Sequence, residues 1–184
     1  APAGIGNAAG RDVSVLLAGF AEADFARNLA RNLSEASGQS VSVLAGVPDD
    51  DDPAAAAIGL FNALHARIVE TMRDKPRRPR HFLLLAPESL PQSVTAPLAA
   101  LLRTAATENP KISGALVRIE GSADAGRLAG LLRQEVEAAD TFTELRYRAD
   151  GTREALRIDP VDLPAGRGEM QLDPDGAYWI TGGA

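Results

Sequence analysis

The chain of 184 residues contains no cysteine, which excludes disulfide frameworks, thiolate zinc sites and cysteine nucleophiles. That absence fits a cytoplasmic protein, the expected location. Aromatic residues make up only 4%, so an apolar interior has to be built from alanine, leucine, valine and isoleucine. Lysine is almost missing as well: Lys75 and Lys111 stand alone, and arginine carries the rest of the positive charge. The formal net charge of −6 argues against a nucleic-acid-binding surface as the main function. No apolar run approaches the roughly 18 residues of a membrane helix, so no membrane association is expected. Residues 1–11 have neither a basic n-region nor an apolar h-region; they read as a linker rather than a signal peptide.

What is present is a globular composition, 45% hydrophobic and 24% charged. Strand-length apolar runs alternate with helical stretches. Residues 13–19 (VSVLLAG) predict a first strand, and 21–37 a helix with Phe25, Leu29 and Leu33 on one face. Gly38 ends that helix. Residues 40–46 (SVSVLAG) predict a second strand. A run of four aspartates and Pro53 then opens a helix reaching about Lys75, with Ile58, Phe61, Leu64, Ile68 and Met72 at helical spacing. Residues 81–86 (HFLLLA) predict a third strand, 93–109 a helix closed by Pro110, 112–119 a fourth strand, and a helix from Ser122. Residues 142–148 (FTELRYR) and 153–158 flank Asp150-Gly151, a hairpin turn. A Pro/Gly-rich connection leads to a short strand at 178–181 that enters a glycine turn. Such alternation predicts a truncated Rossmann-like α/β fold: three layers, a mostly parallel sheet with helices on both faces, and a C-terminal β-hairpin.

Few residues offer chemistry. A dinucleotide fold needs glycines after its first strand, so that backbone N–H groups can approach phosphate. Here that turn reads Gly19-Phe20-Ala21-Glu22-Ala23-Asp24, with one glycine, then bulk and two acids. It is expected not to bind phosphate. His65 and His81 have no second histidine at ligand spacing and are expected to be ordinary surface or packed histidines. Asp49, Asp50, Asp51 and Asp52 lack the spaced ligands of a calcium loop and read as a helix-capping segment. Ser89 and Ser93 flank a proline turn without an adjacent base, and no metal site is expected. The basic run 75–80 (KPRRPR) reads as a solvated linker, with contact to an acidic partner protein as the functional alternative.

Three segments carry a resemblance. Residues 101–110 (LLRTAATENP) are similar to a helix of the ketoreductase domains of modular polyketide synthases. The hairpin 144–148 (ELRYR) with Asp150, Gly151 and Arg153 resembles the segment closing the first half of those domains, and 175–184 (DGAYWITGGA) the start of their cofactor loop. The three occur in the family's order; earlier residues match only as alternating strands and helices.

The resemblance implies a division at 1–11 (linker), 12–163 (the non-catalytic structural subdomain) and 164–184 (a connection and the first strand of the catalytic subdomain). It implies that Thr181, Gly182, Gly183 and Ala184 are the opening of an NADPH loop, whose next glycine the chain lacks. The chain itself is therefore expected to bind no cofactor. NADPH would serve the complete ketoreductase, which reduces β-ketoacyl groups on an acyl carrier protein. Implied partners are the catalytic subdomain, the carrier protein and neighbouring synthase domains. The short connection before Tyr178 implies no domain inserted at that junction. Two other readings stand beside this one: an interaction module from an inactive ketoreductase-like region, and a free-standing Rossmann-like enzyme.

Overall fold

The computed structural model describes residues 10–20, 23–44, 52–74, 78–121, 124–138, 142–162 and 173–179. Strands and helices alternate as β1 (Asp12–Leu17), α1 (Ala23–Ser37), β2 (Ser40–Leu44), α2 (Pro53–Arg73), β3 (Arg80–Pro87), α3 (Gln92–Glu108), β4 (Ile112–Ile119) and α4 (Ala125–Ala138). A hairpin of β5 (Phe142–Tyr147) and β6 (Arg153–Ala155) follows. All six strands form one sheet in the order β2-β1-β3-β4-β5-β6. The first five run parallel and β6 pairs antiparallel with β5. This is the three-layer, mostly parallel α/β fold that the sequence predicts.

The apolar runs explain the layering. A strand covered by helices on both faces needs apolar side chains at every position, not every second one. In β3, Leu83 and Leu85 point into a core with Leu29 and Leu33 of α1 and Leu128, Leu132 and Val136 of α4. Phe82, Leu84 and Ala86 point the other way, onto Leu64 and Ile68 of α2 and Leu98 and Leu102 of α3. Burying each leucine contributes roughly 1.5–3 kcal/mol. Gly114 of β4 permits the second contact: a Cβ there would stand 2.6 Å from Leu102 Cδ2 and 2.8 Å from the carbonyl oxygen of Phe82.

Local chemistry sets the ends. Asp52 caps α2, its Oδ1 accepting from the N–H groups of Ala54 (2.8 Å) and Ala55 (3.3 Å). Asp124 does the same for α4 through the N–H of Arg127, so the described helix starts at Ala125, later than the expected Ser122. In the hairpin Gly151 adopts φ +91°, a left-handed conformation that glycine reaches without strain. There Asp150 accepts from the N–H of Thr152 at 2.8 Å, and this bond holds its carboxyl below the usual range.

Three expectations need correction. The buried stripe of α2 runs through Leu60, Leu64, Ile68 and Thr71, while Ile58 is 62% exposed and Phe61 also faces solvent. Apolar residues occupy two neighbouring stripes of this helix, and only the one aimed at the sheet is covered. The second hairpin arm is shorter than 153–158; it leaves the ladder after Ala155, although the N–H of Leu156 still reaches the carbonyl of Glu144. Of the strand expected at 178–181, the described residues Tyr178 and Trp179 lie outside regular structure and pair with none of the six strands. A strand needs a neighbour for its backbone groups. Tyr178 turns back instead onto the Asp173–Gly176 turn, its hydroxyl accepting from the N–H of Asp173 and donating to that residue's carbonyl.

Candidate functional site

In a doubly wound sheet, ligands enter at the carboxyl ends of the strands where the strand order reverses. With β2 and β3 on opposite sides of β1, that point lies above β1 and β3. Gly19, just past β1, has φ +75° and lies against the next strand's exit. A Cβ on it would be 3.3 Å from ring atoms of Pro87 and 3.6 Å from Leu90 Cδ1. The neighbouring N–H of Ala18 is spent on the carbonyl of Leu85 at 2.8 Å. Phe20 stacks on Phe25 with centroids 5.1 Å apart. In the first turn of α1, Asp24 pairs with Arg27. Proline, leucine and phenylalanine thus pack where a phosphate loop would present donors, and an acid sits at the helix start where an anion would go.

Next to this point the loop between β3 and α3 is fixed by one arginine at the end of β4. Arg118 donates through Nε to Glu88 Oε2 (3.1 Å) and through Nη1 to Thr95 Oγ1 (3.2 Å). Its Nη2 reaches the carbonyls of Glu88 (2.9 Å) and Leu90 (3.0 Å). Arg146 adds ion pairs to Glu88 at 3.5 Å and Glu154 at 4.0 Å, and Arg148 donates to Glu154 at 2.8 Å. Arg103 pairs with Glu144 and lies over the Phe142 ring, 5.1 Å from its centroid. Leu116, Arg118, Glu144, Arg146, Glu154 and Leu156 line a groove of about 280 Å³ here. Its charges answer one another, and it holds no serine, threonine or cysteine beside a base. No single stretch of sequence shows this groove, because these lining residues come from β4, β5 and the segment around β6; the arginine near the end of β4 is its sequence signal.

On the opposite face a buried carboxylate joins α4 to the hairpin. Glu135 is 5% exposed. Its Oε1 accepts from the Tyr147 hydroxyl and from Arg153 Nε (2.7 Å), and its Oε2 from Arg153 Nη2 (3.0 Å). Burial pushes the Tyr147 hydroxyl up, and the bond to Glu135 adds to that; the Glu135 bond also raises Arg153. A neutral phenol donating to a paired carboxylate is a structural clamp. Nearby, His81 is buried, and its Nδ1 lies 2.9 Å from Ser113 Oγ. Burial, and secondarily the Arg11 charge, pull its pKa down to about 3, so the ring is neutral.

The remaining expected residues do not assemble into a site. His65 is exposed on α2 and stacks on Phe61, far in sequence and burial from His81. Ser89 and Ser93 are exposed. Asp52 caps a helix, while Asp49, Asp50 and Asp51 lie outside the described residues, as do Lys75, Pro76 and Arg77 of the basic run. Thr181, Gly182, Gly183 and Ala184 also lie outside them. Among the described residues no group of three or more histidine, aspartate or glutamate side chains could hold a metal ion. Nor is any described helix long and apolar enough to cross a membrane.

Comparison with known proteins relates the chain to one enzyme class. It is 42% identical over 124 residues to polyketide synthase ThaG of Burkholderia thailandensis, which covers 65% of the chain and 2% of that protein. It is 25% identical over 118 residues to polyketide synthase PksN of Bacillus subtilis, covering 64% of the chain and again 2% of the relative. The chain thus spans a very small part of the relatives it matches. Among solved structures it resembles a ketoreductase domain from the bacillaene assembly line, with a TM-score of 0.55 and 15% identity over 83% of the chain and 36% of that structure. No family profile matches the chain. In sequence it is related to polyketide synthases, and its fold is that of part of a ketoreductase domain.

Proposed function

We propose that this chain is the non-catalytic structural half of a ketoreductase domain in a multifunctional polyketide synthase. In this reading it binds no cofactor. It supports a catalytic half that uses NADPH to reduce β-ketoacyl groups held on acyl carrier protein, among neighbouring synthase domains. The observation that carries the reading is the packing of Pro87 and Leu90 against Gly19, which fills the place where a dinucleotide fold would cradle phosphate. The charge-paired groove and the Glu135 clamp support it as well, since both join elements and neither presents a reacting group.

The location of exposed apolar side chains favours a partner on the C-terminal side. Among the described residues, Leu156, Ile158, Val161, Tyr178 and Trp179 are all more than half exposed. They fall at 156–161 and 178–179, and exposed apolar patches mark contact surfaces. The test is complementation: the catalytic half of the parent ketoreductase, expressed separately, is assayed for NADPH-dependent reduction of a β-ketoacyl thioester with and without this chain. Reduction should rise severalfold when the chain is added, and the rise should disappear with Ile158→Ser, Val161→Ser and Trp179→Ser combined. Reduction by the chain alone, or no change on adding it, would overturn the reading.

A further inference from the structure

His81 sits in β3, one of the two central strands of the sheet, paired with Val13 of β1 on one side and Ser113 of β4 on the other. It is 1% exposed. Its two ring nitrogens differ in situation. Nδ1 meets Ser113 Oγ at 2.9 Å, whereas Nε2 is buried without a hydrogen-bond partner among the described residues. A neutral imidazole has one donor and one acceptor, and a buried nitrogen of either kind forfeits its hydration unless something replaces it.

The replacement has a place to sit. His81 forms one wall of a cavity of about 70 Å³, and Glu135, Thr143 and Arg153 form others. Apolar cavities stay dry, but a cavity with several polar walls and more than about 15 Å³ accommodates ordered water. The wall chemistry argues against an ion: the Glu135 carboxylate and the Arg153 guanidinium already neutralise each other through two hydrogen bonds. Glu135 Oε2 takes one of those bonds and keeps a lone pair for another donor.

We propose that this cavity is an internal water site in which a water accepts from His81 Nε2–H and donates to Glu135 Oε2, bridging β3 to the α4–hairpin clamp. The assignment fixes the tautomer. Nε2 carries the proton, and Ser113 Oγ donates to Nδ1. The water then links the central strand to Arg153 of β6 through Glu135, so the sheet's interior and its last strand share one polar network. Water is the ligand because its one molecule can accept and donate at once, as a neutral ring facing a paired carboxylate requires.

Nitrogen-15 NMR of the labelled chain tests this without altering it. A long-range proton–nitrogen correlation should report the Nε2-protonated ring for His81, and a rotating-frame experiment should show a water cross-peak to that Nε2 proton. In His81→Phe the cross-peak must vanish. A high-resolution crystal structure should place density within hydrogen-bond distance of both Nε2 and Glu135. An Nδ1-protonated ring, or an Nε2 proton without a water contact, would overturn the proposal.

Discussion

Strand β3 and the stretch that follows β6 treat apolar side chains in opposite ways. In β3, His81 through Ala86 are all buried, with helices on both faces. Past β6, Leu156, Ile158 and Val161 are 62%, 88% and 79% exposed, and Trp179 is 91% exposed. Both stretches carry large apolar side chains, continuous in β3 and interspersed with Arg157, Asp159 and Asp162 past β6. What separates them is whether this chain supplies the second surface. Around β3 it does, through four helices. Past β6 the described residues supply none, and in the proposed function that surface belongs to another part of the synthase.

The largest effect is expected at the covered strands. Leu102→Ala removes a fully buried side chain packed over Gly114 and should cost 2–5 kcal/mol, roughly the range for such core truncations. Urea unfolding followed by circular dichroism would measure it. Next comes the clamp: Glu135→Ala removes the acceptor of Arg153 and leaves the Tyr147 hydroxyl only the Leu131 carbonyl, 3.5 Å away. Loss of a buried pair costs about 3–5 kcal/mol, but Arg153 can turn to water, so about 2 kcal/mol is expected in the same assay.

Histidine at the centre of the sheet adds a pH dependence. Its folded-state pKa, about 3, lies below the unfolded value of 6.5. Between those values the unfolded chain holds a proton that the folded chain lacks, so acid favours unfolding. Stability should be fully present above about pH 6.5 and decline as pH falls toward 3, by at most about 1.4 kcal/mol per unit from this group. His81→Phe should flatten that part of the curve. The smallest effect is expected past β6: Ile158→Ser with Val161→Ser should change stability by less than about 0.5 kcal/mol, because neither side chain is packed. A larger loss would mean that these residues hold this fold rather than await a partner.

Much of this was legible in the sequence. Strand β3 announces itself as an apolar run because both its faces are covered, and Asp150-Gly151 names its own turn. The face that α2 buries was not legible. Ile58 and Phe61 keep helical spacing as well as Leu60 and Leu64 do, and only the sheet decides between them. Tyr178 and Trp179, the described part of the strand expected at 178–181, lie outside regular structure for a related reason. Apolar and aromatic residues favour strands only where a neighbouring strand exists, and Tyr178 finds its hydrogen bonds within its own turn. For the candidate site, the single glycine and acids after β1 were readable, but the packing of Pro87 and Leu90 on Gly19 was not. It joins residues far apart in sequence, as do the Arg118 loop clamp and the shared cavity of His81 and Glu135.

The most direct test of a scaffold without a cofactor site of its own is NADPH titration into the 184-residue chain, followed by nicotinamide fluorescence and calorimetry. The account predicts no saturable binding up to on the order of 1 mM, since apolar packing occupies the turn after β1. Saturable binding below that concentration would contradict it.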